Sequence, residues 1–324
     1  MGTRTDGVEW LTLGLLAVCY GAWMVAVIWV PHLSVFVAIL LAALCAVLHS
    51  SLTHEAIHGH PTRWQKLNAA LVAPSLNLVV PYLRFHDTHH AHHMNDRLTD
   101  PYDDPESNYQ ALADWAQRPI WQKAMFRFNN TLAGRLLIGP LLSQFAFMKG
   151  DLIAILHHDR RVALGWLLHI PAVLLVIAVL TTVGQMPLWA VIAYIWLSMS
   201  ILKIRTFIEH QAHESAGGRT VIVEDRGPLA LLFLNNNFHA VHHAHPRLPW
   251  YRLPTLYFAN KARYLGNNQR YFFASYVQVF RQHFVRGKDP VPHPIWRRDD
   301  ESLESLGGEG GTRTPDPTIM SRVL

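Results

Sequence analysis

The sequence predicts an all-α membrane protein, with about four transmembrane helices and a helical cap that carries histidine clusters on the cytoplasmic side. Three observations support this fold class. Half of the 324 residues are hydrophobic and only 16% are charged, whereas a soluble domain has roughly 25% charged residues. Two long stretches contain no Asp, Glu, Lys or Arg, and 14 of the 21 histidines fall in four short clusters.

The two charge-free stretches, Trp10–Thr53 and Val162–Leu202, predict two pairs of membrane spans. Pro31 divides the first stretch, and Gly184–Pro187 interrupts the second. Each of the resulting segments has about 20 residues, the length that crosses a hydrocarbon core of ~30 Å. We therefore expect spans at about residues 10–30, 33–52, 163–183 and 187–204.

Two shorter apolar stretches, Leu67–Leu83 and Leu136–Met148, are further candidates for membrane helices. Both contain proline and both are short for a span, so we interpret them as interfacial or re-entrant helices. The alternative is that one of them crosses the bilayer. That arrangement would place the histidine clusters on opposite sides of the membrane.

The distribution of positive charge predicts the orientation. Eleven Lys and Arg residues lie between His54 and Arg161, whereas the two predicted hairpin turns contain none. Because cytoplasmic loops are enriched in Lys and Arg, we expect a multi-pass protein of the inner or plasma membrane with all histidine clusters and both termini in the cytoplasm. We assign the membrane domain to residues 1–298. Residues 299–324, rich in Gly, Ser, Thr, Pro and charge, are predicted to be a disordered tail.

Composition also argues against two other classes of protein. The net charge of +5 is modest, and no basic stripe with interleaved aromatic residues indicates a nucleic-acid interface. Cys19 and Cys45, the two cysteines, both lie inside apolar stretches. They predict neither a disulfide framework nor a thiolate metal site.

The histidine clusters have spacings that are typical of metal ligands. In the second and fourth clusters the pattern H-x-x-H-H places three imidazoles on one helical turn, at i, i+3 and i+4. Imidazole binds iron, copper, zinc and nickel alike, so the residue type does not identify the metal. About nine imidazoles exceed what one four- to six-coordinate ion can use. The clusters therefore predict two ions, and a redox-active pair would suit O₂ chemistry.

The motifs follow a recognisable order along the chain: H-E-x-x-H-G-H, then T-H-x-x-H-H with L-T-D-P, then E-H, then H-A-V-H-H. Over roughly residues 45–260 this series resembles the integral-membrane fatty acid desaturase superfamily, which also contains carotenoid ketolases and hydroxylases. The resemblance implies a helical membrane domain and two iron ions held by histidines. It also implies O₂ as co-substrate and two electrons from a separate carrier.

The resemblance implies nine iron ligands. They are His54, His58, His89, His92, His93, His210, His239, His242 and His243. In the second cluster an earlier register, His86, His89 and His90, also fits H-x-x-H-H. We prefer the later register because of its spacing to Leu98-Thr99-Asp100-Pro101.

Several carboxylates near the clusters are candidates for orienting the ligands. We expect Glu209, Glu55 and Asp87 to accept the second ring N–H of a ligating histidine, and the alternative is that they are only helix-surface charges. The acidic run Asp100–Glu106 has two interpretations: a docking site for a basic electron carrier, or a solvated loop.

The predicted function is the O₂-dependent desaturation of fatty acyl chains in lipid metabolism, with an acyl lipid or other long apolar molecule as substrate. Carotenoid or alkyl hydroxylation or ketolation is the close alternative. A membrane zinc metalloprotease is a distant one, because His54-Glu55-Ala-Ile-His58 also fits H-E-x-x-H, but it leaves three clusters unexplained. The sequence has no dinucleotide-binding or haem-attachment motif. We therefore expect electrons from a ferredoxin, rubredoxin or cytochrome.

Overall fold

A computed structural model describes residues 7–94 and 98–295, and the regular secondary structure in this part of the chain is almost entirely helical. The helices are α1 (Trp10–Ile28), α2 (Val35–Ile57), α3 (Gln65–Val72), α4 (Tyr82–Met94), α5 (Leu112–Gln117), α6 (Ile120–Asn129), α7 (Leu132–Leu137), α8 (Gly139–Leu156), α9 (Arg160–Thr182), α10 (Leu188–Thr206), α11 (Pro228–Leu232), α12 (His239–Ala244), α13 (Leu253–Ala259), α14 (Lys261–Asn267) and α15 (Tyr276–His283). The strands β1 (Ile222–Val223) and β2 (Phe272–Phe273) form one short parallel pair.

Four of these helices, α1, α2, α9 and α10, are long and apolar enough to cross a membrane. The 23 residues of α2 correspond to about 34 Å at 1.5 Å per residue, slightly more than a hydrocarbon core of ~30 Å. Polar side chains begin two of them. Ser34 accepts a hydrogen bond from the Val37 N–H, and Asp159 accepts bonds from the N–H groups of Arg161 and Val162. The predicted all-α membrane fold is confirmed.

Helix α2 lies at the centre of the bundle, packed against both α1 and α10. Its buried face contains the small residues Ala38, Ala42 and Ala46, which allow close approach of neighbouring helices. The ring of Tyr194 on α10 is fully buried, and its hydroxyl donates a hydrogen bond to the carbonyl of Leu76 at 3.1 Å. Helix packing thus forms the core of the membrane domain.

The two hairpin turns of the bundle lie at the same end. The N–H of Gln185, between α9 and α10, donates a hydrogen bond to the carbonyl of Val27, at the end of α1, at 2.9 Å. Helices α2 and α10 both start at this end and therefore run in the same direction. Their carboxyl ends, which lead into His54 and His210, reach the opposite end together.

The outer faces of the bundle expose large apolar side chains, as lipid contact requires. On α9 the most exposed leucines include Leu167, Leu168, Leu174 and Leu175, each more than half accessible. The spans contain charged residues only near their ends. The outer surface therefore lacks charged side chains along most of its length. The solvent that surrounds these helices is therefore lipid.

The helix boundaries differ from the predicted spans mainly at α2, which continues to Ile57 instead of ending at Leu52. No helix breaker occurs there before Gly59, so the helix extends beyond its apolar segment and includes His54. The stretch Leu136–Met148 falls on α7 and α8. Helix α8 also carries Lys149 and Asp151 and is not among the four candidate spans. The predicted disordered tail, 299–324, lies outside the described residues.

Candidate metal centre

Four separate segments bring histidines to the end of the bundle that lies away from the hairpin turns. His54 is in the last turn of α2, and His58 follows directly as its C-cap. Helix α4 carries the second cluster, and the residues after α10 carry His210. Helix α12, held against β1, carries the last three. The segments converge because α2 and α10 end side by side and the cap folds over them.

The nine histidines that the sequence predicts as ligands form two groups in the structure. In each group, one nitrogen from every ring lies within 4.8 Å of those from all the others. The larger group contains His54, His58, His89, His93 and His242. The smaller group contains His92, His210, His239 and His243. The arrangement provides two adjacent sites that contain only nitrogen donors.

The Nε2 atoms point toward the centre of each group. In the larger group, Nε2 of His89 lies 3.1 Å from Nε2 of His58 and 3.1 Å from Nε2 of His93. In the smaller group, Nε2 of His210 lies 3.0 Å from Nε2 of both His92 and His239. Two imidazole nitrogens at this distance compete for one proton, whereas a metal ion between them would use both lone pairs.

Carboxylates and an amide hold the outer ring nitrogens of three of these histidines. Nδ1 of His89 lies 2.9 Å from Glu106, and Nδ1 of His92 lies 2.9 Å from Asp104. Nδ1 of His239 lies 3.1 Å from the side-chain oxygen of Asn236. Because an acceptor at Nδ1 keeps the proton there, Nε2 is left with a free lone pair for a metal.

The loop after α4 positions two of these acceptors. Asp104 is almost fully buried and also accepts hydrogen bonds from the N–H groups of Thr99 and Glu106, at 2.8 and 2.9 Å. Asp100 is buried too and accepts the Tyr102 N–H at 2.8 Å. Asp100 and Asp104 are thus buried hydrogen-bond acceptors, whereas Asp103 and Glu106 of the same run are partly exposed. Sequence reasoning missed the link to the histidines, although the run follows the second cluster closely.

Glu55 and Glu209, the two carboxylates that the sequence favours, lie less directly against the rings. Glu55 is 3.9 Å from Nδ1 of His54, and it accepts a hydrogen bond from the Trp250 N–H at 3.1 Å. Glu209 pairs with Arg205 at 2.9 Å and lies 3.7 Å from Nδ1 of His239. The side chain of Asn236, which contacts His239, also donates to Glu209 at 3.3 Å.

The remaining clustered histidines lie outside both groups. In the second cluster these are His86 and His90, whose rings pack against each other at 4.4 Å. Asp87 contacts His86 at 2.9 Å and Arg161 at 2.7 Å, and neither partner is one of the nine. Elsewhere, His60 contacts Glu9 at 2.7 Å. The structure thus brings together the histidines of the later register.

Burial keeps most of the nine imidazoles neutral. It lowers the pKa of His93 to about 3, and the neighbouring rings of His89 and His92 add to the effect. Five further rings have a pKa well below the ordinary value, first because of burial and then because of nearby imidazoles or other cations: His58, His210, His239, His242 and His243. Neutral imidazole is the form that binds metal.

His92 behaves differently. Burial opposes its protonation, but Asp104 and Glu106 outweigh burial and raise its pKa to about 9. The same two carboxylates that stabilise a positive ring would stabilise a metal ion at Nε2. A bound metal would therefore take the place of the proton.

The donor set fits two metal ions. All nine rings can offer nitrogen, three have a fixed outer partner, and most lie out of solvent. Nε2 of His54 is buried and has no hydrogen-bond partner among the described residues. A buried imidazole nitrogen without a partner is costly, and a metal ion in the larger group would satisfy it.

Comparison with known sequences agrees with this geometry. A family model described as Fatty acid desaturase matches residues 29–275, which include three of the four long helices and all nine histidines. No curated protein gives a match. Since the family model covers most of the chain, the protein belongs to the fatty acid desaturase family.

Proposed function

We propose that this protein is an O₂-dependent desaturase of fatty acyl chains, and that the nine histidines hold two iron ions. The observation that carries the proposal is the pair of adjacent nitrogen-only groups at one end of a membrane helix bundle. Two redox-active ions supply the oxidising power that an unactivated C–C unit requires, since such a substrate offers no group for acid–base catalysis.

The overall reaction balances with an external donor. Removal of two hydrogen atoms from the acyl chain supplies two electrons and two protons, and a carrier supplies two further electrons. With two protons from solvent these reduce one O₂ to two water molecules, and a C=C bond replaces two C–H bonds.

The chain's own residues contribute position and shielding. Asp104, Glu106 and Asn236 orient three of the rings through Nδ1. Burial of the histidine groups excludes water from the reacting region. The apolar outer surface of the bundle keeps the protein in the bilayer, where an acyl lipid is dissolved.

Orientation is part of the proposal. We assign the histidine end to the cytoplasm, because Lys203 and Arg205 lie at the end of α10 near the histidine groups and the two turns at the other end carry no Lys or Arg. A soluble cytoplasmic carrier could then reach the site.

The zinc protease alternative is disfavoured by the surroundings of Glu55. A general base in that mechanism must contact water on the metal, at the Nε2 side of the rings. Instead Glu55 accepts a hydrogen bond from the Trp250 N–H and approaches the Nδ1 side of His54.

Analysis of host lipids tests the reaction. The full chain is expressed in a host that makes saturated acyl lipids, with His93→Ala as the inactive control, and methyl esters are separated by gas chromatography coupled to mass spectrometry. We expect a new monounsaturated ester only with the unmodified chain. A hydroxylated or keto product would instead identify a hydroxylase or ketolase.

Metal content tests the cofactor. Purified protein is expected to contain about two iron ions per chain and little zinc. A preparation with one zinc ion and no iron would contradict the di-iron proposal and favour the protease.

A further inference from the structure

The segment from Arg226 to Lys288 is strongly basic. It contains nine Lys and Arg residues and no Asp or Glu. Four of its arginines are exposed on or beside α12, α13 and α14: Arg226, Arg247, Arg252 and Arg263. We call these four residues, with the exposed ring of Phe258, the basic face.

Ring contacts connect the parts of this face. The guanidinium of Arg226 lies 5.8 Å from the centre of the Phe258 ring. Tyr257 contacts both Phe258 and Tyr264, at 5.1 and 6.3 Å. Tyr264 in turn lies 6.4 Å from His245. Tyr257 and Tyr264 are buried, so these contacts lie beneath the surface. Helix α13 packs against α12, α14 and the turn Trp250–Arg252, so the segments that carry the basic face adjoin one another.

This surface leads directly to the metal centre. Phe258 is 45% exposed, and its ring lies 6.0 Å from the ring of Phe238, which is fully buried. Phe238 directly precedes His239, one of the smaller histidine group. An aromatic contact followed by one peptide unit thus connects the exposed ring of Phe258 to that group.

Within residues 7–94 and 98–295, the four arginines of the basic face form no ion pair with a carboxylate. The two acidic residues just before the segment are already engaged: Glu224 pairs with Lys261 and accepts a hydrogen bond from Tyr257, and Asp225 accepts the N–H of Tyr276. The buried Asp100 and Asp104 offer no alternative docking site for a basic carrier.

We infer that the basic face docks an acidic one-electron carrier protein, with Phe258 at the centre of the contact. The inference rests on the proposed function, because it identifies the class and the entry point of the electron donor. Two reduced carriers would each be oxidised by one electron per turnover, which supplies the two electrons that the reaction needs. Charge complementarity raises the rate of encounter, and the aromatic contact gives a route inward.

Charge reversal tests the docking. The full chain in nanodiscs of neutral lipid is titrated with an oxidised plant-type ferredoxin, with and without bound metal. We expect Arg247→Glu combined with Arg263→Glu to weaken binding about tenfold. The salt dependence of binding should also decrease. Arg127→Glu combined with Arg160→Glu makes the same charge change on α6 and α9 and is expected to leave binding within twofold of the unmodified chain.

A second variant tests the route. Phe258→Ala should leave binding within a few-fold of normal but slow the reduction of the loaded centre by ferredoxin, measured by stopped-flow absorbance. Reduction by dithionite, a small molecule that needs no docking, should be unchanged. Phe145→Ala, which removes an exposed ring from α8, is the matched control and should alter neither rate.

Three results would overturn the inference. One is equal loss of ferredoxin binding in both double variants. Another is unchanged ferredoxin binding by the Arg247 and Arg263 variant, which would leave lipid headgroups as the alternative occupant of the face. The third is normal ferredoxin reduction of Phe258→Ala. Ferredoxin binding by the metal-free protein does not depend on which product the metal-loaded enzyme forms. A failure of the desaturase proposal can therefore be distinguished from a failure of the docking inference.

Discussion

His93 and His86 lie two helical turns apart on α4, but only His93 reaches the paired histidine groups. Its Nε2 lies 3.1 Å from Nε2 of both His89 and His242, whereas His86 packs on His90 and Asp87. We predict that His93→Ala lowers metal affinity by more than the roughly 10- to 100-fold that loss of an outer partner costs, and abolishes activity. His86→Ala should retain most of both, as measured by iron content and product yield. The reverse result would favour the earlier register.

Asp104 offers a second test at the level of single residues. Its carboxylate holds Nδ1 of His92 and the N–H groups of Thr99 and Glu106. In Asp104→Asn one of the two oxygens becomes a donor, so part of this network must break. We expect metal affinity to fall about 10- to 100-fold, measured by competition with a chelator. Asp114→Asn, the same change on α5, should leave affinity unchanged, and an equal effect of both would argue against a role for Asp104 in holding His92.

The candidate metal ligands were easier to predict from sequence than the residues that hydrogen-bond to their outer ring nitrogens. Spacing on a helical turn specifies which imidazoles can meet, so His54 and His58, or His89 and His93, were accessible to prediction. The role of Asp104 depends on how the loop after α4 closes, which no local pattern encodes. Glu55 was expected to hold a ring because it adjoins one, but adjacent residues on a helix point in different directions.

Among the helices, α4 is attached to the bundle by a buried ion pair. Arg84 forms two hydrogen bonds of 2.8 Å with Asp151 of α8, and Trp166 of α9 donates to the same carboxylate at 2.8 Å. Gly165 makes room for Arg84, because a Cβ there would lie 3.0 Å from its Cγ. Three helices thus meet at one carboxylate, which fixes the helix that carries the second histidine cluster.

We predict that Asp151→Ala destabilises the protein by about 3–5 kcal/mol, because it leaves the buried charge of Arg84 unpaired. Asp87→Ala is the matched control. Its partner Arg161 is 55% exposed, and an exposed pair contributes roughly 0–1 kcal/mol. Thermal unfolding in detergent should show a clearly larger decrease in melting temperature for the Asp151 variant. Equal decreases would mean that the pair does not anchor α4.

Element boundaries were predictable wherever composition changes sharply. The charge-free stretches gave the four long helices to within a few residues at most ends. The extension of α2 to Ile57 could not be inferred from hydropathy, since it includes His54 and Glu55. The contact of Arg84 with Asp151, 67 residues apart, depends on tertiary packing and lies beyond any local pattern.

In the whole molecule, the two helical hairpins, α1–α2 and α9–α10, lie side by side. Their turns are at the same end of the bundle. Exposed positions at the two ends give a direct test of orientation. In a background without Cys19 and Cys45, we predict that Ser215→Cys and Asn267→Cys react with a membrane-impermeant maleimide only from the cytoplasmic side. Gln185→Cys should react only from the other side. The reason is that a hydrocarbon core of ~30 Å separates the ends, and the histidine groups all lie at one of them.

Labelling of Ser215→Cys and Asn267→Cys from opposite sides would contradict the packed arrangement of α14 and the residues after α10. Labelling of all three from one side would instead mean that the hairpins do not cross the bilayer. The sequence alone predicted this orientation from the charges. It did not predict that the turns touch, because the hydrogen bond from Gln185 to Val27 joins two segments that share no pattern.

The division of the nine histidines between two groups has a consequence for how the protein is made. The larger group requires His242, and the smaller one requires His239 and His243, so each is incomplete until α12 emerges from the ribosome. By then both hairpins have been synthesised, and the first has had time to enter the bilayer. Neither group can acquire its full set of ligands before α12 has left the ribosome, so assembly of both groups must follow synthesis of the two hairpins. On the proposed function, iron would therefore have to reach the site after the four membrane helices have been made.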